Sequence, residues 1–170
     1  MKLDLQLGFQ YRDHLSLYEK WFSPFQVDEF SLLQIGVREG DTLKLWRDTF
    51  PNAKIFGIDI VQDCYLEGES RITTIIGDAG NLTFLKQMMP LPNLKIIIDD
   101  AGHQYDQQIT SFKFFSPQLP IGGIYVMEEL GESPQIIHYL KGIAERGSFS
   151  IEPHRKVAFL RKEKENGKQS

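Results

Sequence analysis

Two short apolar runs that stop abruptly at paired acids constrain this chain more than any other feature. The segment 96–100 reads Ile-Ile-Ile-Asp-Asp, and the segment 124–129 reads Ile-Tyr-Val-Met-Glu-Glu. Apolar runs without polar alternation are typical of strands buried on both faces, as in parallel sheets that are covered by helices. The sequence therefore predicts an α/β protein in which acidic side chains gather where neighbouring strands end.

The rest of the chain alternates strand and helix patterns in the same way. Strands are predicted at 31–36, 54–59, 71–76, 94–98, 124–127, 149–151 and 156–160, and helices at 41–50, 82–89, 105–115 and 134–145. This alternation implies a three-layer sandwich around a mostly parallel, doubly wound sheet of seven strands, with the last two strands forming an antiparallel hairpin. We expect one domain over residues 1–170, with a helical extension at 1–30, a core at 31–160 and a polar tail at 161–170.

Charge and cysteine content narrow the class of protein. The net charge of -4 and the isoelectric point near 5.6 argue against a nucleic-acid-binding protein, which is usually basic. No apolar run reaches membrane-spanning length, and residues 1–6 lack the apolar core of a signal peptide. Cys64 is the only cysteine, so no intrachain disulfide can form. We therefore expect a cytoplasmic protein without a nucleic-acid or membrane partner.

Glycines and acids at the first three strand ends indicate a nucleoside site. Gly36 and Gly40 bracket a tight loop after the first strand, Asp59 ends the second strand, and Asp78 follows the third. Ligands of open α/β sheets bind at this edge. Asp59 can accept hydrogen bonds from ribose hydroxyls there, and Asp78 can reach the adenine. The loop is not Gly-x-Gly-x-x-Gly, and Glu39 would repel a pyrophosphate at the helix N-terminus. A phosphate-free ligand such as S-adenosylmethionine therefore fits better than a nicotinamide dinucleotide.

The acids at the next two strand ends indicate a divalent-metal site with a general base. Asp100, Glu128 and Glu129 can supply three carboxylates, the hard oxygen ligands that Mg²⁺ prefers. His103 lies just past Asp100, and an imidazole titrates near neutral pH, which suits it to accept a hydroxyl proton. The neighbouring Asp99 is expected to face the methionine end of the cofactor.

The same segments resemble a known enzyme family. They are 32–37 (Leu-Leu-Gln-Ile-Gly-Val), 43–47, 50–53, 57–60 (Gly-Ile-Asp-Ile), 97–103 (Ile-Ile-Asp-Asp-Ala-Gly-His) and 122–130. Over most of its length the chain is similar to the macrocin and mycinamicin sugar O-methyltransferases, which are class I enzymes that use S-adenosylmethionine and magnesium. The resemblance implies a Rossmann-like methyltransferase fold, S-adenosylmethionine and Mg²⁺ as cofactors, and a small-molecule hydroxyl as the methyl acceptor.

By this resemblance the site residues fall into three groups. The cofactor-binding residues are Gly36, Val37, Gly40, Asp59, Ile60, Asp78, Ala79 and Asp99, the metal ligands are Asp100, Glu128 and Glu129, and the base is His103. The chain departs from the family pattern at 101–102, where Ala-Gly replaces the usual Gly-Ser, and at Asp41, which replaces a glycine. It also has Glu129 in place of aspartate, and the added methylene changes the reach of that ligand.

The predicted function is S-adenosylmethionine- and Mg²⁺-dependent O-methylation of a sugar or phenolic hydroxyl on a natural product. Two alternatives stay open on the sequence: a module that binds the cofactor but is inactive or depends on a partner, and an NAD(P)-dependent oxidoreductase. The oligomeric state is open as well, because Trp21 and Phe25 suit either a homo-oligomer contact or the core of one subunit.

Overall fold

A computed structural model describes residues 15–64, 66–88, 90–102, 104–130 and 134–164. These residues form seven strands and five α-helices. The strands are β1 (Ser31–Ile35), β2 (Lys54–Asp59), β3 (Ile72–Ile76), β4 (Leu94–Asp99), β5 (Ile124–Met127), β6 (Phe149–His154) and β7 (Val157–Lys162). The helices are α1 (Leu15–Phe22), α2 (Asp41–Thr49), α3 (Leu82–Gln87), α4 (Tyr105–Phe115) and α5 (Pro134–Glu145), with short 3-10 turns at Ser23–Phe25, Gln62–Cys64 and Ser116–Gln118. None of the helices so described is long and apolar enough to cross a membrane.

In the described sheet every strand runs in the same direction except β7. The strand order is β3-β2-β1-β4-β5-β7-β6, and β7 runs antiparallel to both β5 and β6. β1 lies between β2 and β4, and the register pairs Ile35 with both Ile58 and Asp99. The carboxyl ends of these three strands therefore meet at the switch point, where open α/β sheets bind their ligands. The predicted parallel sheet with a C-terminal antiparallel hairpin is confirmed.

Two apolar layers cover the sheet, one on each face. α1 and α2 pack on the first face, against strand residues that include Leu32, Ile96 and Phe159. α3, α4 and α5 pack on the second face, against residues that include Leu33 and Ile97. Because side chains alternate along a strand, adjacent isoleucines of β4 serve opposite layers, which explains why this strand is apolar throughout.

Helix α1 is docked on the first face by aromatic side chains. Trp21 stacks on Phe159 with 5.8 Å between ring centroids, and the ring of Phe25 lies 5.8 Å from that of Phe30. Both Trp21 and Phe25 are partly buried against the core of the same chain. The structure thus gives both rings contacts with the core of their own chain.

A buried glutamine in β1 fixes the loop that follows this strand. Gln34 is 2% exposed, and its Nε2 donates to the Gly36 carbonyl at 2.8 Å and to the Thr42 hydroxyl at 2.7 Å. Its Oε1 accepts the indole N–H of Trp46 at 2.9 Å. A buried amide is stable only when it is hydrogen-bonded, and these partners satisfy both of its ends. The network ties β1 to α2 and holds the turn at Gly36.

Replacing this amide should destabilise the fold. Gln34→Leu leaves the indole N–H of Trp46 buried without its acceptor, which should lower the free energy of unfolding by about 1–3 kcal/mol. Urea denaturation followed by tryptophan fluorescence measures the loss. Gln26 is exposed, so Gln26→Leu is a matched control that should change stability by less than about 0.5 kcal/mol. Equal stabilities of the two variants would contradict the role assigned to Gln34.

Candidate active site

A cleft opens at the carboxyl edge of the parallel strands. Its volume is about 230 Å³, and it is open to solvent on one side. The predicted site residues that line it are Gly36, Asp59, Ile60, Asp78, Ala79, Asp99 and Asp100. Other lining residues are Ile35, Arg38, Ile58, Gly77, Gly80, Ala101, Gly102, Gln107 and Ser111. Most of the predicted cofactor-binding residues thus share one cleft.

The carboxylate of Asp59 organises two loops beside this cleft. Its Oδ2 accepts the backbone N–H groups of Val37 at 2.7 Å and Arg38 at 3.1 Å, and its Oδ1 accepts that of Val61 at 3.0 Å. The Cys64 thiol donates a further hydrogen bond to the Asp59 carboxylate. Burial acts to raise the pKa of Asp59, but these hydrogen bonds outweigh it and hold the pKa below its ordinary value of 3.8. Asp59 is therefore ionised at neutral pH.

The glycine loop packs closely against the end of β4. Gly36 has a φ of 88°, and a Cβ at this position would collide with the carbonyl oxygen of Asp100, so only glycine fits. Val37 and Gly40 belong to this loop but do not line the cleft. Val37 has a buried side chain and contributes its backbone N–H to Asp59, and Gly40 caps α2 with a φ of 81°.

Ile60 and Asp78 give the cleft an apolar wall and an acidic group. Ile60 is 67% exposed although it lines the cleft. Asp78 Oδ1 accepts the N–H of Gly80 at 2.7 Å, which fixes the turn after β3. An exposed apolar side chain near a carboxylate suits a flat heterocycle that carries an amino group, as adenine does. The residues present therefore fit an adenosine ligand.

Two residues of helix α4 line the cleft although the sequence did not predict them as site residues. Gln107 and Ser111 lie one turn apart on this helix and both line the cleft. The Ser111 hydroxyl donates to the Ala79 carbonyl at 3.0 Å, which joins α4 to the loop after β3. Their spacing of four residues was the available signal, but this spacing is equally common among core residues of a helix. Arg38 also lines the cleft.

Asp99 has a buried carboxyl group that is held by two hydrogen bonds. It is 1% exposed, the Tyr125 hydroxyl donates to its Oδ2 at 2.8 Å, and the backbone N–H of Ala101 adds a further hydrogen bond. Burial raises the pKa of Asp99 to about 7, against the effect of these two hydrogen bonds and with a smaller contribution from the charge of Asp100. The Tyr125 contact orients the carboxyl at the wall of the cleft.

Glu128 is fixed through both its backbone and its side chain. Its N–H donates to the Asp99 carbonyl at 2.9 Å, and its carbonyl accepts the Gln108 side-chain amide at 2.8 Å. The Tyr18 hydroxyl donates to its Oε1. Burial, followed by the negative charge of Asp100, raises the pKa of Glu128 to about 8, while the Tyr18 hydrogen bond acts in the opposite direction. Asp100 and Glu128 are thus close enough for their charges to interact.

The side chain of Glu129 forms an ion pair with Lys156. Its Oε2 lies 3.0 Å from Lys156 Nζ, and its backbone has a φ of 56°, which is uncommon for a residue other than glycine. Across the described ranges, no three His, Cys, Asp or Glu side chains lie close enough together to hold a metal ion. His103, the predicted base, lies outside the described residues.

The paired carboxylates are nevertheless chemically suited to magnesium. Mg²⁺ is usually held by one or two carboxylates, with waters and substrate oxygens completing its octahedron. Asp100 and Glu128 repel each other where Glu128 is buried, so a dication beside them would relieve that repulsion. These two residues would be its ligands, and Glu129 would be a third on release from Lys156.

Comparison with known proteins identifies sugar O-methyltransferases as relatives. The chain is 33% identical over 122 residues to the 8-demethyl-8-(2-methoxy-alpha-L-rhamnosyl)-tetracenomycin-C 3'-O-methyltransferase of Streptomyces olivaceus, a match that covers 67% of this chain and 31% of that protein. It is 31% identical over 121 residues to the demethylmacrocin O-methyltransferase of Streptomyces fradiae, covering 66% and 30%. The chain thus spans about a third of the length of these curated relatives. No family model matches the sequence.

A solved structure has the same architecture. The MycE methyltransferase from the mycinamycin biosynthetic pathway, in complex with Mg and SAH, superposes with a TM-score of 0.80 and 25% identity. The superposition covers 97% of this chain and 53% of that chain. The chain therefore has the class I methyltransferase fold and is related to the macrocin- and mycinamicin-type sugar O-methyltransferases.

Proposed function

We propose that this chain transfers the methyl group of S-adenosylmethionine to a hydroxyl of a small-molecule natural product, with Mg²⁺ as cofactor. The observation that carries the proposal is the cleft at the switch point, which extends from Asp78 after β3 to Asp100 after β4. An ionised Asp59 lies on its wall, and the buried Glu128 lies near Asp100. The related O-methyltransferases support the same activity.

The cofactor would be held by the residues of the β1, β2 and β3 ends. Asp59 would accept hydrogen bonds from the ribose hydroxyls, because it is the ionised acceptor of the cleft. Ile60 would cover the adenine ring, and Asp78 would meet the adenine amino group. Asp99 would face the methionine end. The backbone of Gly36 would allow the cofactor to approach the loop without a side chain in the way.

The transfer would take place at the ends of β4 and β5. When bound, S-adenosylmethionine supplies an electrophilic methyl group, and Mg²⁺ lowers the pKa of a hydroxyl beside it. His103 would accept the hydroxyl proton, while Asp100 and Glu128 would hold the metal. The acceptor oxygen would then bond to the methyl carbon as the carbon–sulfur bond breaks, which would leave S-adenosylhomocysteine as the second product. Positioning of the two reactants is the main task of the protein.

The acceptor we propose is a sugar hydroxyl, because the relatives act by name on a rhamnosyl tetracenomycin and on demethylmacrocin. A phenolic hydroxyl is the second choice.

The test is transfer of a labelled methyl group to a panel of glycosylated and phenolic natural products, with Mg²⁺ and with EDTA. We expect product only with Mg²⁺. Cofactor binding without transfer to any acceptor would favour the inactive or partner-dependent module, and binding of NAD(P)H but not of S-adenosylhomocysteine would overturn the proposal.

Asp59→Asn should weaken S-adenosylhomocysteine binding by about 10- to 100-fold, since a hydrogen bond to a charged group is worth roughly 1.5–3 kcal/mol. Isothermal titration calorimetry measures the two dissociation constants. Asp63 is exposed on the neighbouring 3-10 turn, so Asp63→Asn is the matched control and should bind like the wild type. Unchanged affinity of Asp59→Asn would remove Asp59 from the ribose site.

His103→Ala should leave S-adenosylhomocysteine binding intact but slow methyl transfer by about 10²–10⁴-fold, the usual contribution of a positioned general base. Single-turnover transfer to the acceptor found in the panel gives the rate. His138 is exposed on α5, and His138→Ala should transfer at the wild-type rate. A fully active His103→Ala enzyme would show that another group takes the proton.

Thermal stability without metal should fall as pH rises from about 5 to about 8. Burial raises the pKa of Asp99 to about 7 and of Glu128 to about 8, so the folded chain keeps protons that the unfolded chain loses above about 4. The loss in free energy of unfolding is up to roughly 1.4 kcal/mol per pH unit for each carboxyl.

Mg²⁺ should therefore stabilise the protein more at pH 8 than at pH 6. Glu128→Gln should weaken both the pH dependence and the effect of Mg²⁺. Calorimetric melting that rises with pH in EDTA would contradict these assignments.

A further inference from the structure

The hydroxyl of Tyr18 connects the N-terminal helix to a proposed metal ligand. Tyr18 and Glu128 are 110 positions apart in the sequence, yet the Tyr18 hydroxyl donates to Glu128 Oε1 in the interior. Tyr18 is 1% exposed and Glu128 is 7% exposed. Neither Tyr18 nor Glu128 lines the cofactor cleft, whereas Asp100, whose charge acts on Glu128, does. The contact therefore lies behind the cleft wall, on the side of Asp100.

The Tyr18 ring is held by aromatic side chains, so the position of its hydroxyl is well defined. Its centroid lies 5.3 Å from that of Phe22, 5.6 Å from that of Trp46 and 5.1 Å from that of Phe159. The contacts with Phe22 and Phe159 are edge-to-face, an arrangement that aromatic pairs favour. These three rings come from α1, α2 and β7, and together they fix the ring from several sides.

Other contacts suffice to dock helix α1. Trp21 stacks on Phe159, and its indole N–H donates to Glu152 at 3.0 Å. Lys20 Nζ lies 2.6 Å from the same Glu152 carboxylate. A phenylalanine at position 18 would keep the ring contacts described above. We therefore expect loss of the Tyr18 hydroxyl to leave the helix docked and to affect Glu128, to which the hydroxyl donates.

The hydrogen bond from Tyr18 adds a side-chain contact to Glu128, whose backbone also forms hydrogen bonds. The N–H and carbonyl of Glu128 are bound by Asp99 and Gln108, and the Tyr18 hydroxyl fixes the carboxylate. One carboxylate oxygen of Glu128 is thus bound to Tyr18, in a residue that interacts with the charge of Asp100. The third acid of the predicted set, Glu129, has no comparable support, since its partner Lys156 is more than half exposed.

We propose that Tyr18 is a positioning residue of the metal site, which orients Glu128 for a divalent cation and couples the docking of α1 to metal binding. The inference rests on the proposed function, because it takes Asp100 and Glu128 as ligands of Mg²⁺. Groups that hydrogen-bond to metal ligands commonly contribute roughly 10- to 100-fold to metal affinity. Because coupling is reciprocal, a cation that binds better when Tyr18 is docked also stabilises the docked helix.

The test compares metal binding by the wild type and by Tyr18→Phe in the full chain. Mn²⁺ binding is followed by electron paramagnetic resonance with S-adenosylhomocysteine present, and Mg²⁺ is measured by competition. We expect Tyr18→Phe to bind Mn²⁺ at least about 10-fold more weakly, with unchanged S-adenosylhomocysteine affinity and only the small drop in melting temperature that the loss of one buried hydrogen bond brings. Tyr139, whose ring lies 6.1 Å from that of Phe112 on the opposite face of the sheet, gives the matched control. Tyr139→Phe also removes one hydroxyl and should bind Mn²⁺ like the wild type.

Two further readouts separate positioning from a general structural role. If Tyr18 acts through Glu128, Tyr18→Phe should cost no further metal affinity in a Glu128→Gln background, so the two losses are not additive. Mg²⁺ should also slow hydrogen exchange of the α1 amides in the wild type but not in Tyr18→Phe.

The outcomes distinguish this inference from the proposed function. Wild-type Mn²⁺ affinity in Tyr18→Phe would overturn the inference and leave the function intact. Equal losses of metal affinity, cofactor affinity and melting temperature would assign Tyr18 a purely structural role and also overturn it. A wild type that binds S-adenosylhomocysteine but no metal would overturn the metal half of the proposed function, and the role of Tyr18 with it.

Discussion

Parallel pairing of β1 with β4 sets the geometry on which the rest of the site depends. The register places Ile35 opposite Asp99, and the N–H of Asp100 donates to the Ile35 carbonyl at 2.9 Å. This brings the glycine loop after β1 against the acids after β4, with Gly36 so close to Asp100 that no side chain fits between them. A shift of one residue would turn Asp99 to the other face of the sheet and separate these groups.

Around this edge the fold concentrates carboxylates that differ in their state. Asp59 is kept ionised by backbone N–H donors, so it is prepared to accept hydrogen bonds from a neutral ligand. Asp99 and Glu128 are buried, and burial raises the pKa of each. The two sides of this edge therefore suit different partners: a nucleoside in the cleft beside Asp59, and a cation between the cleft residue Asp100 and the buried Glu128.

The parallel strands β1 to β5 could be predicted from the sequence because each is short, largely apolar and ended by a glycine or an acid. The convergence of Asp59, Asp78 and Asp100 on one cleft followed from the same reasoning, since parallel strands share a carboxyl edge. The pairing of Glu129 with Lys156 could not be predicted, because it depends on how the β6–β7 hairpin folds over the end of β5.

The hydrogen bond from Tyr18 to Glu128 lay equally beyond the sequence. Helical periodicity identifies Tyr18 as an apolar-face residue but gives no information on a polar partner 110 positions away. Gln107 and Ser111 were missed for a related reason, because a helix with one buried face offers no pattern that separates core from cleft. Local patterns thus predicted the elements and the strand-end acids, whereas contacts between distant segments needed the three-dimensional arrangement.

The account is tested most directly by a crystal structure of the full chain grown with S-adenosylhomocysteine and Mn²⁺. It predicts adenosine density in the cleft with the ribose hydroxyls on Asp59, and an anomalous Mn²⁺ peak that is shared by Asp100 and Glu128. Adenosine density away from Asp59, or a Mn²⁺ peak that touches neither Asp100 nor Glu128, would contradict it.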